Sequence, residues 1–145
     1  MVQTDIESAN KKLTALLLGA QLDRIVISSI ELNMCFISET IPRTEIWLTT
    51  SGRVSSSNLL TEEDFFEQRG KSLSLIYSLI GSTIASINVI EEGQLSFELN
   101  DLTIYILPDE DSSEEVWSVT PDSYSPYQDY EWFVTFTDSH ELLVK

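Results

Sequence analysis

Apolar and polar positions alternate most regularly between Leu79 and Ile106. Ile84, Ile87 and Val89 lead through Glu91-Glu92-Gly93 to Leu95, Phe97 and Leu99. Asn100-Asp101 then opens Leu102, Ile104 and Ile106. Period-2 runs separated by turn residues predict a β-meander with those side chains turned inward. Upstream, Ile6, Ala9, Leu13, Leu16 and Leu17 recur at helical spacing and predict a helix over 4–18, with Gly19 just past its end. Leu22 to Ile27, Ile30 to Ile37 and Thr44 to Thr49 read as strands, and Ser51 to Asn58 as a polar loop. Thr61 to Asp64 resembles a helix start, Gly70 a break, and 71–80 a second helix closed by Gly81. Glu115 to Thr120 reads as a strand, and 130–144 as a closing hairpin. The pattern therefore predicts an α+β fold: a largely antiparallel sheet, with helices 4–18 and 71–80 on one face.

Two stretches run in parallel. Leu17-Leu18-Gly19 is followed by Leu22, Ile25, Ile27, Leu32 and Phe36; Leu79-Ile80-Gly81 is followed by Ile84, Ile87, Val89, Leu95 and Phe97. Each then reaches a Glu-x-Trp strand, at Glu45-Ile46-Trp47 and Glu115-Val116-Trp117. We read one domain over 1–145, built from two related helix-plus-strands halves at about 4–50 and 71–120. The helix–Leu-x-Gly step, the Leu-x-Phe strand and the late Glu-x-Trp strand resemble those of small bacterial proteins, some of them grouped with the immunity proteins of polymorphic toxin systems. The resemblance covers most of 71–120 and part of 13–50. It implies a protein-binding role and carries no catalytic residues with it.

Composition sharpens this picture. The apolar share is 42%, with six Phe, five Tyr and three Trp, which suffices for a core and argues against disorder. The longest apolar run, Ala15 to Ala20, is too short to span a bilayer. The first twenty residues lack a signal-peptide layout, and the single cysteine, Cys35, forms no internal disulfide. The expectation is a cytoplasmic protein without a membrane segment. The net charge is −16 and uneven: residues 1–72 hold 10 acids and 7 bases, residues 73–145 hold 14 acids and Lys145 alone. Such a field repels nucleic acid and anionic membrane and draws basic partners.

Catalytic patterns are scarce. A triad needs a histidine, and the only one, His140, sits beside the predicted hairpin turn. Cys35, in Met34-Cys35-Phe36, has none of the flanks of a cysteine protease and reads as packing. One Cys and one His do not make a zinc site. Asp109, Asp111 and Ser113 begin like an EF-hand loop, but Glu114 stands where Gly is needed and Thr120 where a bidentate Glu is needed. Asp109, Asp111, Glu114 and Glu115 remain only as a loose carboxylate cluster. No Gly-rich phosphate loop is present, and no cofactor is expected.

One constellation suits binding. Asp122, Tyr124, Tyr127, Asp129, Tyr130 and Glu131 interleave three tyrosines with three acids, between Pro121, Pro126 and Trp132. Tyrosines supply contact area with a polar tip, prolines limit the entropy lost on binding, and acids pair with Arg or Lys. The same tyrosines could equally pin a long loop to the core. Trp47 and Trp117 read as core. The leading expectation is a non-enzymatic protein that binds a basic partner, for instance a toxin that it occludes. A structural or self-assembling domain, with a homodimer as one form, is the rival, and a small hydrolase comes third.

Overall fold

The computed structural model describes residues 3–29, 31–39, 44–56, 64–90, 93–108, 115–121 and 131–145. Helix α1 spans Gln3–Leu17 and α2 spans Phe65–Ser78. The strands are β1 (Gln21–Ile27), β2 (Leu32–Ser38), β3 (Thr44–Thr50), β4 (Arg53–Ser55), β5 (Ile84–Val89), β6 (Leu95–Leu99), β7 (Leu102–Leu107), β8 (Glu115–Thr120), β9 (Val134–Thr137) and β10 (Leu142–Val144). All strand pairs are antiparallel, so the fold is α+β, and mostly sheet. The strands form two sheets rather than the one expected, in the orders β1-β2-β3-β8-β9-β10 and β4-β7-β6-β5.

Two further expectations are corrected. Gly70 does not break α2, because the helix starts early: the Asp64 carboxylate accepts the N–H groups of Phe66 and Glu67 and caps it. A single helix glycine, costing about 1 kcal/mol, does not outweigh that cap and the burial of Ile76 and Leu79. The stretch 51–58 also is not all loop, since β4 pairs with β7.

The two sheets meet where the chain leaves each helix. Gly19 and Gly81 both adopt positive φ, +82° and +98°, which lets each helix turn directly into a strand. The following residues then pair reciprocally. Gly19 N–H donates to Ile84 O and Gly81 N–H to Leu22 O, both at 2.8 Å; Leu22 N–H donates to Ser82 O and Ile84 N–H to Ala20 O, both at 2.9 Å. Gly19 and Gly81 are 62 positions apart, and the same offset relates the bulges at Leu22/Arg24 and Ile84/Ser86. After β3 the chain crosses to the second sheet, where β4 joins β7, and after β7 it returns to the first, where β8 joins β3. Trp47 and Trp117 therefore do not occupy matching strands. Trp47 lies on β3 between β2 and β8, while Trp117 lies on β8 between β3 and β9.

One apolar cluster draws on both helices and both sheets, from Leu13 and Leu17 through Phe36, Phe97 and Ile104 to Trp117 and Phe136. Phe36 and Phe97 meet edge to face at 6.3 Å. The inward residues expected of the meander, Leu95, Phe97, Leu99, Ile104 and Ile106, are all buried, whereas Leu102 is only partly so.

Candidate functional site

Of the expected binding residues, Asp122, Tyr124, Tyr127, Asp129 and Tyr130 lie outside the described residues. Glu131 is described, and it is exposed. It precedes Trp132, which packs against the core and has the Lys12 ammonium 5.9 Å from its ring centre. Downstream acids Asp138 and Glu141, in the β9–β10 hairpin, are exposed as well.

The strand registers line up a polar row and a mixed row across the first sheet. One runs Asn33, Thr49, Ser118, Thr135 and the other Arg24, Cys35, Trp47, Thr120. The Thr49 hydroxyl donates to Asn33 Oδ1 at 2.6 Å. Arg24 bridges Asp23 at 2.8 Å and Glu45 at 3.0 Å, with its guanidinium carbon 5.2 Å from the Trp47 ring centre. The bonds to Glu45 and Asp23 raise the Arg24 pKa and keep it charged. Trp47 Nε1 is buried without a hydrogen-bond partner among the described residues.

The nucleophile candidates have structural places. Cys35 packs with Ile37 and Trp47, fully buried, and burial pushes its thiol up to about 11. At neutral pH it is a protonated thiol, a poor nucleophile. His140 sits in the β9–β10 turn with φ +62°, its N–H bonded to Thr137 O and its ring 6.0 Å from Phe136. Asp109, Asp111 and Glu114 lie outside the described residues, while Glu115 belongs to β8. Among the described residues no three His, Cys, Asp or Glu side chains converge as a metal site.

The sequence reading missed a surface on α2. Phe66, Leu73 and Tyr77 fall on one helical stripe, and Phe66 and Tyr77 are exposed. Their spacing was visible, but taking Gly70 as a break split the stripe between two elements.

No family model, curated protein or solved structure matches the chain.

Proposed function

We propose that the protein is a non-enzymatic binding protein whose acidic half covers a cationic surface of a protein partner, in the manner of an immunity-type inhibitor of a basic toxin. The observation that carries this reading is the partition of charge, with 14 acids against Lys145 in residues 73–145. A field of that sign and density speeds the approach of a basic protein and disfavours nucleic acid or anionic membrane. Exposed Glu131, Asp138 and Glu141 give it a surface at the C-terminal hairpin. Asp122, Asp129 and Glu131 would steer, and Tyr124, Tyr127 and Tyr130 would anchor. A cytoplasmic site of action accords with the lone buried thiol of Cys35. The reciprocal pairing of Gly19–Leu22 with Gly81–Ile84 supports reading the halves as copies of one unit.

The test is capture of partners from host extract at low and high salt, followed by association kinetics. The captured protein is expected to be basic, with an on-rate that falls as salt rises. Replacing Asp122, Asp129 and Glu131 with Asn or Gln should slow association, and Tyr124, Tyr127 and Tyr130 to Ala should speed dissociation. An acidic or neutral partner, or wild-type kinetics in both variants, would overturn the reading.

A further inference from the structure

The outer edges of β1 and β5 are finished differently, although the strands start from the same reciprocal pairing. On β5 the Asn10 side chain of α1 clamps Val89: its Oδ1 accepts the Val89 N–H, and its Nδ2 donates to the Val89 carbonyl. Val89 lies as far past Gly81 as Ile27 lies past Gly19. Ser28 N–H bonds Glu31 O across the β1–β2 turn, so by the alternation of an antiparallel ladder Ile25 and Ile27 turn their N–H and C=O groups away from β2. No described residue bonds to these outward groups. On the neighbouring part of α2 the Ser72 hydroxyl is engaged with Val54 and Gln68, Leu73 carries no polar group, and Arg69 reaches the Ser28 carbonyl rather than Ile25 or Ile27.

Helix α2 instead stands off this edge and leaves a groove of about 240 Å³ lined by Ile27, Ser28, Phe66, Arg69, Gly70 and Leu73. The Arg69 guanidinium donates to Ser28 O at 3.4 Å across the groove, and desolvation lowers its pKa. Of the large apolar side chains exposed among the described residues, Ile27 and Phe66 line this groove, on either side of partly buried Leu73.

We propose that this groove is a strand-addition site, taking an extended apolar segment of a cationic protein partner alongside β1. The other half of the molecule indicates the occupant's chemistry. The β5 edge is closed by one donor and one acceptor from a single amide, the same pair that each residue of a peptide backbone offers. Alternate side chains of the added strand would enter the apolar groove between Ile27 and Leu73. Charge separates a foreign strand from a second copy of this chain: another molecule at −16 is repelled, whereas a cationic partner is drawn by the net charge of the whole chain, although the groove itself carries Arg69 and its half of the chain is close to neutral. The cationic partner rests on the reading above, but the groove involves none of residues 122–131, so a failure of strand binding here is distinguishable from a failure of the acidic loop.

The probe is a short fluorescein-labelled peptide of alternating valine and threonine with lysine at both ends, beside a twin with proline at its centre. Gly70→Trp fills the groove from a position where an added Cβ meets nothing within 4 Å. Anisotropy should show saturable binding of the first peptide, weakened at least tenfold by the proline twin and by Gly70→Trp. Ile25 and Ile27 amides should gain hydrogen-exchange protection on binding. Absence of saturable binding, or binding indifferent to both changes, overturns the proposal. So does sedimentation showing a wild-type dimer that Gly70→Trp dissociates, which would make the occupant a second copy.

Discussion

Trp117 donates its indole N–H to the carbonyl oxygen of Gly93 at 2.8 Å, from a strand that crosses between the sheets to the turn before β6. The same indole stacks on Phe136 at 6.4 Å and is fully buried. Trp117→Ala is expected to destabilise the fold by about 3–5 kcal/mol, the range for truncating a buried aromatic. Trp117→Phe keeps most of the packing but leaves the Gly93 carbonyl unpaired, costing about 1–3 kcal/mol. Urea midpoints check both, and an unchanged midpoint for Trp117→Ala would refute its core role.

Gly93 and Gly70 should respond in opposite directions to alanine. Gly93 has φ +82°, and a Cβ there would lie 2.1 Å from the Phe136 ring. Gly93→Ala therefore forces both a strained backbone and a shift of that ring, with an expected loss of about 2 kcal/mol or more. Gly70 sits inside α2 with open space around it, so Gly70→Ala should gain about 0.5–1 kcal/mol from helix propensity. Thermal unfolding of the two variants side by side decides this.

Asn10 joins residues 79 positions apart by closing the edge of β5. Asn10→Leu leaves both polar groups of Val89 without the clamp, and a loss of about 1–3 kcal/mol is expected. Asn10→Asp keeps the acceptor and removes the donor, so it should fall between. Hydrogen exchange offers a second check: the Val89 amide should be better protected than Ile27 in the wild type and approach it in Asn10→Leu.

Cys35 links stability to alkaline pH. Burial raises its folded pKa from 9.0 to about 11, so above pH 9 the unfolded chain releases this proton more readily than the native one. With fewer protons bound in the unfolded state, the contribution of Cys35 is intact below pH 9 and declines between pH 9 and about 11. Cys35→Ser should flatten that part of the stability profile relative to wild type. Iodoacetamide should label native Cys35 far more slowly at pH 8 than the urea-unfolded chain.

Much of the architecture was readable because it is local. Alternation in Leu95–Leu99 and Leu102–Leu107, the helical stripe from Ile6 to Leu17, and glycines just past both helices fix element type through side-chain period and backbone sterics. The burial of Trp117, Phe97 and Ile104 followed from the same patterns. Charge partition is likewise a property of the chain itself, and so is the interleaving of tyrosine and acid over 122–131. What the sequence left open was decided by contacts between distant residues. Whether β8 follows β7 in one sheet or crosses to β3 depends on which edge is free, and strand period carries no record of that. The continuity of α2 through Gly70 depends on the Asp64 cap and the burial of Ile76, which together outweigh one unfavourable propensity. The contrast between a β5 edge closed by Asn10 and a β1 edge that no described residue closes beside Leu73 arises only when each helix is laid against its strand. Hydrogen bonding of an edge is a property of two elements at once, and neither sequence contains it alone.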